Sequence, residues 1–344
     1  MSDYFERVSK QTTTRFWINN VTIEEASKAI NAGAVGCTQN PAYSWKILGD
    51  SADKQMAEQL LDKILKEEKN DEEALLKLQQ FLVDGVAKIF LPMFKASNGH
   101  YGYVSIQGSP LHEDTETIIR QARKNIKLQP NIMAKIPVTE EGLKAIKILA
   151  AESVPLNATE CMTVRQVLDV CEVYKEAVKG ISKPAPLYFS LITGIYDEYM
   201  EKYVRENKIE ISPDVLWHAG ISVARKVHAL VQERCYPCGF IAGGARGLHH
   251  FTEMVGANAA ITINWAGTAD KLLEQNLPVV RRFLELTPYS VEDELLEKLP
   301  EHRKAFFMNG IQPHEYEDYG PVVLFRSNFI TAWNKALEYI KSRR

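Results

Sequence analysis

Long apolar runs are missing from this chain of 344 residues. No stretch approaches the ~18 consecutive apolar residues that a membrane-crossing helix needs. The first residues, Met1-Ser2-Asp3-Tyr4-Phe5-Glu6, lack the basic and then apolar pattern of a secretory leader. Cysteine is scarce: five, an odd number, scattered along the chain. That usage argues against a disulfide framework and fits a reducing cytoplasm, the compartment expected for the protein. Cys235-Tyr-Pro-Cys238 is a lone CxxC between a helix and a strand. A zinc site wants a second pair and a redox pair wants a helix N-terminus, so these cysteines read as structural and no metal site is expected. Charge of one sign is also lacking. The formal net charge is −3, which points to neither a nucleic-acid nor an anionic-membrane partner. With 45% hydrophobic and 25% charged residues, what remains is an ordinary globular composition.

Strand and helix signals alternate along the chain. Strands are expected at 15–19, 35–38, 101–107, 132–137, 155–159, 187–190, 239–243 and 259–264. Helices follow most of them. Thr22 and Thr163 are N-caps, a helix starts at Asp114 or Thr115, and Pro213 opens one long helix to about Glu233. Residues 42–92 are helix-rich, and Phe81 belongs to their apolar positions. Eight such units predict a closed (β/α)₈ TIM barrel, read as a single domain over 1–344 with extra helices. A doubly wound open sheet is the competitor, but no Gly-rich phosphate loop follows the first strand. Residues 286–344 form a C-terminal helical extension. Its last helix, Phe329 to Ile340, is expected to pack across the barrel or against a partner subunit, so a homo-oligomer is possible.

One lysine interrupts this pattern. Met133-Ala-Lys135-Ile-Pro137 is an apolar strand that opens through Thr139 onto a helix with Glu140 and Glu141 in its first turn. Strand lysines usually sit at edges or snorkel to solvent. Burying an ammonium costs several kcal/mol unless it is paired or loses its proton. A neutral, desolvated amine is what a Schiff-base nucleophile needs. Lys135 lies near the C-terminal end of its strand, where (β/α) folds place their chemistry.

The other strand ends carry polar residues where a barrel interior wants Val, Ile or Leu. These are Asn19, Asn40, Gln107, Asn157 with Thr159, Ser190, Arg246 and Asn264. Neutral hydrogen-bonding groups around one lysine and one arginine suit a polyhydroxylated ligand.

Thr38-Gln-Asn40-Pro41, Ala134-Lys135-Ile-Pro-Val-Thr139 with Glu141-Gly-Leu-Lys-Ala-Ile146, and Asn157-Ala-Thr159 resemble the signatures of the transaldolase family. The resemblance covers about residues 15–285. It implies class I aldolase chemistry of carbohydrate metabolism, without metal or cofactor, on sugar or sugar-phosphate substrates. Lys135 would attack a ketose carbonyl and hold a dihydroxyacetone unit as an enamine. Transfer to an aldehyde is transaldolase activity, and release is aldolase activity. Asn40, Asn157 and Ser190 match positions that hold the donor's hydroxyls, Thr159 one that helps hold a catalytic water, and Arg246 a phosphate-binding arginine.

Departures from the family pattern are specific. Asn19 stands where an acidic residue serves in acid–base steps, and an amide cannot shuttle a proton. Gln107 stands for the glutamate of classical members, as in the fructose-6-phosphate aldolase branch. That branch's compensating tyrosine is replaced by Ile192. No second arginine follows Gly194, where Ile195 stands. An active enzyme with a relocated proton shuttle and a phosphorylated, otherwise anionic or modified (for instance sulfonated) sugar is the leading expectation. A catalytically silent sugar-binding or scaffolding relative is the other. Tyr43, Tyr196 and Asp197 are candidate replacement acids, each expected at the surface. His249-His250 is expected to be a solvated helix start, with ligand contact as the alternative.

Overall fold

The computed structural model describes residues 3–49 and 51–344. Eight parallel strands close into one barrel in chain order. They are β1 (Arg15–Asn19), β2 (Ala34–Thr38), β3 (Tyr103–Gln107), β4 (Ile132–Pro137), β5 (Leu156–Cys161), β6 (Leu187–Leu191), β7 (Gly239–Ala242) and β8 (Ala260–Ile263). The expected TIM barrel is therefore the fold. No helix among the described residues is long and apolar enough to cross a membrane.

The pleat sends alternate side chains inward. Toward the N-terminal end of the barrel the interior is filled by Trp17, Tyr103, Met133, Ile241 and Ala260, with Val35 and Tyr188 packed against them. Two glycines make room for the large rings. A Cβ on Gly36 would stand 2.3 Å from the Trp17 ring, and one on Gly239 2.3 Å from that of Tyr188. Toward the C-terminal end the inward residues turn polar. This change of layer divides a packed floor from an open mouth.

Helices cover the outside. N-caps start many of them where the sequence places Ser, Thr, Asp or Asn. In α2 (Ile23–Asn31), Thr22 and Glu25 form a capping box. In α6 (Thr115–Asn125) Asp114 is the cap, in α7 (Glu140–Ala151) Thr139, and in α8 (Val164–Ala177) Thr163. A short α1 (Tyr4–Gln11) precedes the barrel, and α3 (Tyr43–Leu48), α4 (Lys54–Glu67) and α5 (Asp71–Ala96) fill the helix-rich segment between β2 and β3. Phe81, placed on their apolar face by its spacing, is 54% exposed instead.

Two of the expected boundaries shift here. The helix opening at Pro213 is broken: α10 (Pro213–Leu216) ends, and α11 (Ala219–Glu233) restarts beyond Trp217 and His218. Between them Asp197 accepts the Gly220 N–H at 2.7 Å, which fixes the restart. Before them lies α9 (Thr193–Asn207), which follows β6 and carries Tyr196 and Asp197. The fifth strand runs past Thr159 to Cys161, with a register break against β6 between Ala158 and Cys161.

A short α12 (His249–Thr252) precedes β8, and beyond that strand the chain forms α13 (Asp270–Gln275), α14 (Tyr289–Lys298), α15 (Pro300–Phe306) and α16 (Gly320–Ser342). The last helix starts at Gly320 rather than Phe329, with Pro321 in its first turn, where the missing N–H costs nothing. It packs on α3, α5 and α9, across the C-terminal mouth of the barrel. Arg343 grips Asp62 with both arms, at 2.7 and 3.0 Å, and Tyr339 donates to Glu58 at 2.5 Å. The Trp333 side chain is fully buried under it. Trp333→Ala is expected to lose about 3–5 kcal/mol, read as a lowered urea midpoint with an unchanged slope.

Candidate active site

A cavity of about 520 Å³ opens at the C-terminal mouth. Asn19, Asn40, Lys135, Thr159, Ser190, Arg246 and Asn264 line it, so most of the predicted ring converges there. Asn157 lies beneath, fully buried, and accepts the Ser190 hydroxyl at 2.7 Å while donating to Ser105 at 3.2 Å. Gln107 is buried beside it, with Lys135 as its register partner on β4 and Asn157 as the next on β5.

The amides are oriented before any ligand arrives. Asn40 Oδ1 accepts from Asn20 Nδ2 at 2.9 Å and from the Ala42 N–H at 3.0 Å. Its amide nitrogen is thereby aimed by two contacts to its oxygen. Asn20 reaches this position with a left-handed φ of 46°, which asparagine tolerates better than most residues. Asn19 donates to Asn264 Oδ1 at 2.9 Å and accepts from Thr38, whose hydroxyl also meets Thr262 at 2.7 Å. Asn19 is thus a fixed member of an amide–hydroxyl chain and brings no titratable group.

Lys135 is 6% exposed and points into this mouth. Burial pulls its ammonium down from 10.5 to about 8, and the nearby Glu160 carboxylate opposes that fall. No residue among the described ones forms a direct ion pair with it. The Phe329 ring of α16 lies 5.9 Å from Nζ. Phe325, Asn328 and Phe329, on one face of α16, form the roof.

Glu160 is absent from the sequence reading. A strict pleat after Thr159 would turn it outward, but its φ of 67° lies in the left-handed region. That conformation is costly for a glutamate and occurs within the β5 register break. The side chain is fully buried and accepts from Gln107 Nε2 at 2.9 Å. Arg326 of α16 joins the group, with its guanidinium 2.7 Å from Glu113 and its charge acting on Glu160. Burial and then the neighbouring Glu160 push the Glu113 carboxyl up to about 9, against the pull of Arg326. Burial raises Glu160 as well, against Arg326, Gln107 and Lys135. Sequence periodicity carries no signal for Arg326, which comes from a distant helix. Glu160 could have been flagged only as a lone carboxylate in the buried run Leu156-Asn-Ala-Thr-Glu-Cys161.

Arg246 sits on the loop after β7. Gly244, at a φ of 71°, turns that loop, and its carbonyl passes so near Gly194 that a Cβ there would stand 2.1 Å away. His250 Nδ1 accepts the backbone N–H groups of Arg246 and Gly247 at 3.3 and 3.2 Å, and Nε2 meets Asp197 at 3.0 Å. The Arg246 guanidinium pairs with Glu198 on α9. Ile192 and Ile195 line the wall beside it.

Several expectations fail here. His250 is buried, not solvated, because it and Asp197 brace the Arg246 loop. His249 stacks on Trp217 with ring centroids 3.8 Å apart. Donor atoms of Asp197, His249 and His250 lie within 4.8 Å of one another, but both ring nitrogens of His250 are already engaged. Tyr43 and Tyr196 are likewise buried rather than at the surface. Tyr43 donates to the Val21 carbonyl at 2.9 Å and Tyr196 meets His302 at 2.8 Å, so neither phenol faces the cavity.

Comparison with known proteins finds transaldolases. A transaldolase of Saccharopolyspora erythraea is 27% identical over 240 residues, covering 63% of this chain and 62% of its own. A transaldolase of Mycobacterium tuberculosis is 28% identical over 215 residues, 58% of this chain and 55% of its own. One of Acidothermus cellulolyticus is 35% identical over 148 residues, 42% and 39% of the two chains. The matched region thus spans less than two thirds of each relative's length. The profile of the Transaldolase/Fructose-6-phosphate aldolase family matches residues 16–308. This chain, a closed eight-stranded barrel with a buried lysine at its polar mouth, belongs to that family.

Proposed function

We propose that the protein transfers a three-carbon ketol unit between sugars through a Schiff base on Lys135. The observation that carries this reading is the lysine itself: buried, without an ion-pair partner among the described residues, its basicity lowered to about 8, and facing a cavity of amides and hydroxyls. A buried lysine with no chemical role would be a cost to the fold.

The steps follow from the groups present. The neutral Lys135 amine attacks the C2 carbonyl of a ketose, and loss of water from the adduct gives an iminium. The iminium draws electrons as the C4 hydroxyl gives up its proton to water, so the C3–C4 bond breaks: C4 leaves as an aldehyde and a dihydroxyacetone unit stays on nitrogen as an enamine. Asn40, with its oxygen already occupied, presents N–H donors to the ketol hydroxyls. Ser190, whose hydroxyl is held by the buried Asn157, lines the cavity beneath them. The Phe325 and Phe329 roof limits water above the enamine. Exclusion of water favours transfer to an acceptor aldehyde over hydrolytic release.

The anionic end of the donor has one arginine to meet it. Arg246 is paired with Glu198, and the neighbouring wall is Ile192 and Ile195. A ligand anion there competes with Glu198 for the guanidinium. This supports a singly contacted phosphate or a weaker anion such as a sulfonate over a clamped dianion.

Borohydride reduction in the presence of dihydroxyacetone is expected to label Lys135 covalently, and Lys135→Met is expected to abolish the label in the intact-mass spectrum. Labelling at a different lysine would refute the assignment.

The initial rate of that labelling should follow the free amine. Below about pH 8 the ammonium form dominates, so the rate is expected to fall roughly tenfold per pH unit; above it the rate levels off. A profile still rising steeply to pH 10 would mean an amine of ordinary basicity.

Loss of a charged hydrogen bond costs about 1.5–3 kcal/mol. Arg246→Ala is therefore expected to raise KM for a phosphorylated ketose by about ten- to a hundredfold. Labelling with uncharged dihydroxyacetone should be unchanged. Equal losses on both compounds would place Arg246 outside the anion contact.

A further inference from the structure

The Schiff-base reading leaves a proton unaccounted for. Loss of water from the lysine adduct needs an acid, and neither Asn19 nor Gln107 can supply one. We propose that Glu160 is that acid: its carboxyl delivers the proton to the departing hydroxyl of the Lys135 adduct and takes it back in the reverse step. This inference rests on the Schiff-base function proposed above.

Geometry carries it. Glu160 is fully buried, yet one end of its carboxylate is fixed by Gln107 while the other, Oε2, has no hydrogen-bond partner among the described residues. Gln107 Oε1 and Thr159 Oγ1, its neighbours in the same cluster, are also buried without a partner. Buried polar atoms are nearly always satisfied, so three unspent oxygens on adjoining residues mark a place for substrate or water. Thr159 lines the cavity together with Lys135, while Gln107 and Glu160, the residue after Thr159 in the chain, are buried behind that lining. The backbone supplies the second observation. A left-handed glutamate in a barrel strand persists only where the surroundings hold it. Here the distortion brings in a side chain that the pleat would turn out.

The charge environment suits a proton donor. Glu160 faces Lys135 on β4, Gln107 on β3, and Arg326 on α16, with Glu113 and Glu317 beyond. Two buried carboxyls share one guanidinium, and burial favours a proton on the pair. Arg326 then stabilises the carboxylate that forms once the proton has left.

The step balances within the site. The Glu160 carboxyl proton passes to the hydroxyl oxygen of the adduct, directly or through a water. The C–O bond breaks and water departs. The nitrogen lone pair becomes the second bond of the iminium, and Glu160 is left as its carboxylate.

The test uses the full-length protein, dihydroxyacetone and borohydride, with the rate of Lys135 labelling as readout and the melting temperature measured alongside. Glu160→Gln keeps shape and hydrogen bonding but cannot donate this proton. Its labelling rate is expected to fall about a hundredfold, with the label still on Lys135. The double variant Glu160→Gln with Gln107→Glu moves the carboxyl to the other end of the same hydrogen bond. It is expected to recover about tenfold or more of that loss, which a purely structural role would not predict. Labelling of Glu160→Gln at the wild-type rate overturns the proposal, as does a double variant no faster than the single one. If the single variant does not fold, the double variant decides: labelling supports the proposal, and a folded but unlabelled protein overturns it. Absence of label in the wild type is a different failure, because it removes the Schiff-base reading itself.

Discussion

The cost of keeping an ammonium out of water organises this molecule. Lys135 stands where a barrel strand would ordinarily carry Val or Ile, and its charge finds no direct ion partner among the described residues. Burial favours the free amine. The polar layer at the mouth is the complement of that choice. Amides and hydroxyls hydrogen-bond one another, so they crowd around the nitrogen without adding formal charge that would hold its proton in place. Carboxylates stand apart from it and beside an arginine: Glu113 and Glu160 in the field of Arg326, and Glu198 against Arg246.

The floor makes this possible. Trp17, Tyr103, Met133 and Tyr188 close the barrel's N-terminal half, with Gly36 and Gly239 yielding the space. Lys135 opens onto the cavity at the mouth. There α16 supplies the roof, and its C-terminal end is tied to α4 and α5 by Arg343, Tyr339 and Arg344. Packing far from the chemistry thus governs how wet the nitrogen is, and wetness sets its basicity.

Much of this was legible before any coordinates. Strand–helix alternation gave the barrel, because period and punctuation are local properties of the chain. The pleat placed Asn19, Lys135, Thr159 and Ser190 at one mouth for the same reason. What escaped the sequence was nonlocal or against the rule. Arg326 arrives from a helix whose distance along the chain hides its contact with Glu113. Glu160 enters through a register break that inverts the pleat. His250 and Asp197 look like surface groups in sequence, yet His250 is buried and Asp197 half-buried, together a brace for the Arg246 loop. The break between α10 and α11 depends on Asp197 capturing the Gly220 N–H, a tertiary bond that helix propensity cannot announce.

The last helix carries a consequence for what completes the site. None of the eight strands comes from α16, yet the guanidinium and the two phenylalanines of the mouth do. Without that helix the barrel would be a closed cylinder with an unfinished mouth: open to solvent above the nitrogen, and with two carboxyls lacking their shared cation. The environment of the amine thus depends on an element that contributes no strand.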